Sequence, residues 1–73
     1  MDNSTNKNHN HLKIVVNRAQ CKQCRDIIES THRHDYISCR CKAIAVDGGH
    51  DYLKRVGNLD DVIELAEYSE NRP

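Results

Sequence analysis

The chain is 73 residues long, with three Tyr, no Phe, no Trp, 37% hydrophobic residues, four Cys and a formal net charge of zero. A chain of that length folds as one small domain at most, and its apolar core alone supplies no more than roughly 3–5 kcal/mol. Zero net charge excludes a dedicated duplex-DNA binder, whose affinity comes chiefly from neutralised phosphates, and without a run of about 18 apolar residues no helix can span a membrane.

Residues 1–11, "MDNSTNKNHNH", are polar and aperiodic and are expected to form a disordered tail. They hold no apolar stretch fit for a signal peptide, so a reducing cytoplasm is the expected compartment. The three residues "HNH" sit side by side in this tail, unlike the dispersed nuclease motif of that name. "LKIVV" at residues 12–16 is β-branched and predicts the first strand. Cys21 and Cys24 follow, then "DIIES" as a short strand, "THRHD" as a polar loop, and "YIS" as a strand leading into Cys39 and Cys41. "AIAV" predicts another strand, with Ile44 and Val46 as its larger apolar face, ending in the turn Asp47-Gly48-Gly49. "HDYLKRV" is compatible with a hairpin partner or with a single helical turn.

For the last segment the pattern predicts a helix. Asn58 is a suitable cap, Asp60 and Asp61 suit the first turn, and Leu59, Val62, Ile63 and Ala66 recur at helical spacing. So short a helix needs a surface to dock on. The expected organisation is a tail over 1–11, a zinc ribbon over 12–57, a docked C-terminal helix over 58–69 and a frayed end over 70–73. The fold class is thus a small zinc-stabilised α+β domain, with zinc-ribbon-like antiparallel β-hairpins and one C-terminal helix.

All four cysteines lie between positions 21 and 41, as one C-x-x-C pair and one C-x-C pair. Cysteines so close in sequence can aim two sulfurs at one ion, whereas a disulfide at that spacing is strained or redox-active. Cys21, Cys24, Cys39 and Cys41 are therefore expected to hold one structural Zn2+, tetrahedral and coordinatively closed. The fourteen residues between Cys24 and Cys39 suffice for a strand, a loop and a returning strand. Charge is uneven along the chain: residues 12–56 carry nine Lys/Arg against five acids, and residues 57–73 one against five. Four thiolates on one zinc add about −2, which leaves the ribbon near +2 and the whole chain near −2.

The stretch "CKQCRDIIES…HDYISCRCKAIAVDGGHDYLKRVG" resembles a family of small uncharacterised bacteriophage and prophage proteins. Their pattern runs C-x-x-C, D-x-I-E-S, H-D, C-x-C-G and V-D-G-G-x-D-Y-L-[KR]-R, and the likeness covers about residues 17–57. The sequence departs from the common zinc-knuckle pattern after each pair, where Arg25 and Lys42 stand in place of Gly. The resemblance implies a zinc ribbon of viral or prophage origin in the bacterial cytoplasm, and no activity.

Other constellations are ambiguous by residue type alone. His32, His34 and Asp35 suit a second metal, a hydrogen bond to a cysteine sulfur, or a solvated loop. Asp47, His50 and Asp51 suit acid–base chemistry, but turn chemistry explains them more simply. Tyr52, Lys54 and Arg55 have interface composition, and Tyr52 equally suits a core position. Arg33, Arg40, Lys42, Lys54 and Arg55, with Tyr36 and Tyr52, would form the basic patch of a single-strand binder. The expected function is a non-enzymatic zinc-binding accessory protein that binds a host macromolecule, a protein in preference to nucleic acid. The alternatives are a nucleic-acid-binding zinc ribbon and a small hydrolase with a second metal.

Overall fold

β-Branched residues dominate the start of β1 (Leu12–Cys21), a ten-residue strand on which most of the molecule is assembled. The computed structural model describes residues 12–70; the tail expected over 1–11, and residues 71–73 of the end expected to fray over 70–73, lie outside them. Six further strands follow: β2 (Ile27–Ser30), β3 (Ile37–Ser38), β4 (Ile44–Asp47), β5 (Lys54–Gly57), β6 (Val62–Glu64) and β7 (Glu67–Glu70). All pairings are antiparallel. β2 pairs with one edge of β1, and β6 and β7 pair in succession with the other. β3, β4 and β5 form a second sheet in that order, which resolves "HDYLKRV" as a loop followed by the hairpin partner of β4.

The two sheets enclose a core of Ala19, Cys21, Ile28, Cys39, Ile44 and Val46, with Cys24, Ile37, Ala43 and Val62 packed against it. It is thin for a domain, contains no aromatic ring, and draws two of its six members from the thiol pairs. Ile44 and Val46 occupy the inward positions expected of them, at 1% and 0% exposure.

The C-terminal helix is not formed, and the α+β expectation is corrected to an all-β fold. Asn58 does cap as its side chain allows, its Oδ1 accepting from the Asp60 N–H at 3.0 Å. The turn it starts is a 3-10 turn of only three residues, Leu59–Asp61. Two forces end it. Val62 and Ile63 favour an extended backbone, and β1 presents an edge whose N–H and C=O groups need partners. Pairing Cys21 with Val62, Gln20 with Ile63 and Ala19 with Glu64 satisfies that edge and turns Val62 toward the core. Leu59, the supposed first residue of a buried helical face, is 67% exposed. Glu70, expected in a frayed end, is the last residue of β7, opposite Leu12. Ile63 is half-buried on β6, so Ile63→Ala should cost about 1 kcal/mol in urea denaturation, below the roughly 2–5 kcal/mol of a fully buried truncation.

A polar cluster joins the sheets where the apolar core ends. Asn17, fully buried in mid-β1, donates from Nδ2 toward the carbonyls of Asp47, Gly49 and Tyr52 at 3.0, 2.8 and 3.2 Å. Its Oδ1 accepts from Arg55 Nη1 at 2.7 Å. Arg55 also donates from Nε to Glu64 at 2.9 Å and from Nη2 to the Arg18 carbonyl at 3.2 Å. Partial loss of solvent would raise the Glu64 carboxyl, but the Arg55 guanidinium and the N–H groups of Ala66 and Leu65 outweigh it and hold it below its usual range. Buried Ser30 donates to the Asp35 carbonyl at 2.6 Å and accepts from Gly49 N–H at 2.8 Å. At Gly49, with φ of +55°, a Cβ would lie 2.3 Å from the His32 backbone, so only Gly lets the two loops meet.

Candidate metal centre

β1 ends at Cys21, and the turn that follows brings Cys24 back beside it, with Arg25 N–H donating to the Cys21 carbonyl at 2.8 Å. β3 ends just before Cys39, and a second turn closes with Lys42 N–H on the Cys39 carbonyl at 3.0 Å. Both turns need a left-handed residue after the cysteine pair. Arg25 and Lys42 adopt it, with φ of 68° and 66°. The knuckle geometry is therefore present without the usual glycines, at a cost of roughly 1–2 kcal/mol per position. Arg40 ties the turns together: its N–H donates to Asp26 Oδ2 and its Nη2 to the Cys24 carbonyl, both at 2.9 Å.

The four sulfurs lie within 4.8 Å of one another, an arrangement able to hold a metal ion. Cys21 and Cys39 are buried, Cys24 is half-buried and Cys41 is exposed. Cys41 Sγ is 3.7 Å from the sulfurs of both Cys21 and Cys39. The two buried sulfurs also receive a backbone N–H: Gln23 donates to Cys21 at 3.3 Å and Ile44 to Cys39 at 3.5 Å. Such donors stabilise thiolates rather than thiols.

The thiols do not ionise alike. Partial loss of solvent opposes ionisation of Cys24, but the N–H groups of Asp26 and Cys41 and the thiols of Cys41 and Cys21 draw it down to about 6. Burial likewise opposes ionisation of Cys39, and the Ile44 N–H with the thiols of Cys21 and Cys41 lowers it all the same. At Cys41 the Ala43 N–H favours the thiolate, yet loss of solvent and the three surrounding cysteines push the thiol up to about 12.

The remaining candidate residues fall at the other end of the strands. β2 and β4 run away from the cysteines into the loops at 31–36 and 48–53, which pack on each other. Asp35 accepts from the Thr31 N–H at 2.9 Å, and its Oδ2 is 3.7 Å from His32 Nδ1. The Thr31 N–H, against partial loss of solvent and with help from His32, holds the Asp35 carboxyl below its usual range. His34, at φ 63°, has its Nδ1 3.1 Å from the Tyr52 hydroxyl. Among the described residues, none of His32, His34 and Asp35 joins a metal-competent group; that group is the four cysteines. Tyr52 is half-buried and Lys54 is exposed at the start of β5. The Arg55 side chain, only 8% exposed, is committed to Glu64 and Asn17 inside the fold.

Asn17 and Ser30 did not stand out by residue type. The available signal for Asn17 was a lone amide in the run "IVVNRA", where a strand interior favours apolar residues. No helix of the described chain is long and apolar enough to cross a membrane. No curated protein and no solved structure matches the sequence. Residues 13–57, which contain both thiol turns and both distal loops, match the Domain of unknown function (DUF7695), and the chain belongs to that family.

Proposed function

We propose that Cys21, Cys24, Cys39 and Cys41 hold one structural zinc ion, and that the domain so stapled is a non-enzymatic module that acts by binding another protein. The sulfur geometry carries this reading. Four thiolates around zinc at about 2.3 Å place neighbouring sulfurs about 3.8 Å apart, and two of the sulfur pairs here stand at 3.7 Å. An all-sulfur site softens the donor set toward zinc and away from calcium or magnesium. Four protein ligands leave no position for water or substrate, which suits a staple rather than a Lewis acid. The phage and prophage likeness of the sequence supports a bacterial host as the setting, and the near-neutral chain supports a protein partner over nucleic acid. Native mass spectrometry of the reduced protein should show one zinc per chain. A pull-down from bacterial lysate with the zinc-loaded chain should retain a partner whether or not nuclease is added. Capture abolished by nuclease would replace this reading with nucleic-acid binding.

A further inference from the structure

The four cysteines are not equally sheltered. Cys21 and Cys39 are buried and Cys24 is half-buried, whereas Cys41 is exposed. With the proposed zinc bound all four are thiolates, so access rather than acidity ranks their reactivity. A thiolate within reach of solvent is the one that small oxidants attack. In this cluster that thiolate is Cys41.

Its neighbours supply the second half of an oxidation. Cys41 Sγ stands 3.7 Å from the sulfurs of both Cys21 and Cys39, and a disulfide needs about 2 Å. Cys39 lies in the same turn, where the bond would have to close across the single residue Arg40. Cys21 ends β1 in the other turn, twenty positions earlier, and its sulfur can approach Cys41 without that constraint.

We infer that Cys41 is an oxidation site, and that a peroxide converts the metal centre into a Cys21–Cys41 disulfide with release of the zinc. The inference rests on the zinc reading and adds a redox sensitivity to it. The Cys41 thiolate attacks one oxygen of hydrogen peroxide, the O–O bond breaks, and Cys41 becomes a sulfenic acid as hydroxide leaves. The Cys21 thiolate then attacks the Cys41 sulfur, the S–O bond breaks, and a second hydroxide leaves. Protons from solvent turn both hydroxides into water, and the two sulfurs have supplied the two electrons that reduce the peroxide. Cys24 and Cys39 are too few to close a tetrahedral zinc site, so the ion passes to solvent. Because Cys21 is also a core residue, the staple opens from its exposed side into the core.

The test treats the full zinc-loaded chain with hydrogen peroxide, reads zinc release with a metallochromic dye, and maps disulfides by peptide mass spectrometry after free thiols are blocked. One zinc should leave per disulfide formed, and the first disulfide should join Cys21 to Cys41. A thiol reductant with added zinc should restore the metal-bound mass. Cys41→His keeps a ligand in a common structural donor set and removes the oxidisable sulfur, so release should slow by about ten-fold. If that variant binds no zinc, the disulfide map of the native chain decides alone. Zinc retained under peroxide, undiminished release from a zinc-loaded Cys41→His chain, or a first disulfide that omits Cys41 or joins it to Cys39 overturns the inference and leaves the zinc reading standing. A chain with no zinc to lose before peroxide is added overturns both.

Discussion

Chelating the proposed zinc should unfold the chain rather than merely loosen one end of it. The apolar core holds six residues, and two of them, Cys21 and Cys39, are proposed ligands. A core of that size contributes no more than roughly 3–5 kcal/mol, whereas zinc binding by small thiolate domains is worth about 10–16 kcal/mol in apparent terms at neutral pH. With the proposed zinc bound, the metal term is the larger by a factor of about two to five, and the metal-free chain is expected to lack the free energy to order itself. The sulfurs also sit at the ends of β1 and β3, so releasing them removes one of the contacts that join the two sheets. Far-UV circular dichroism should lose its β-sheet signal on addition of a strong chelator and regain it with excess zinc. Cys39→Ser, at a buried ligand, should behave like the chelated protein. Acid should do the same, because protons compete with zinc for thiolates. An unchanged spectrum in reduced, chelated protein would refute the staple.

The second large effect is expected at Asn17. Replacing it with Leu keeps the branching of the side chain and removes every polar contact, so the carbonyls of Asp47, Gly49 and Tyr52 lose a donor and Arg55 Nη1 keeps only the Lys54 carbonyl as acceptor. Leaving a buried group unpaired costs about 1–3 kcal/mol, and more when it is charged. The loss should total on the order of 3–5 kcal/mol in urea denaturation at saturating zinc. By contrast Glu29→Gln, which breaks the half-buried Arg18–Glu29 pair at 3.3 Å, should cost no more than about 1 kcal/mol. A double-mutant cycle between Asn17 and Arg55 should give coupling above about 1 kcal/mol, since the two side chains touch. Additive effects would mean that the 48–53 loop is held by something other than this amide.

Some of this architecture was legible because it is local. Cysteines one and two residues apart converge on one ion whatever surrounds them, and Asp47-Gly48-Gly49 turns because Gly adopts positive φ without strain. The short β-branched and apolar runs at 27–30, 37–38 and 44–47 had no competing periodicity, and all became strands. Segments with two local solutions were decided by tertiary structure. Residues 58–69 carry a valid helix cap and a helical spacing, together with β-branched Val62 and Ile63 that suit a strand equally well. The open edge of β1, more than forty positions earlier in sequence, supplied hydrogen-bond partners and a core-facing slot for Val62, and that long-range gain outweighed a helix too short to stand alone. Arg55 was settled in the same way: as a residue type it suits a surface contact, but the strand pairing placed Glu64 and Asn17 within reach of its guanidinium. The left-handed backbone at Arg25 and Lys42 also belongs to the tertiary structure, because only closing both thiol turns on one cluster imposes it on residues that would otherwise avoid it.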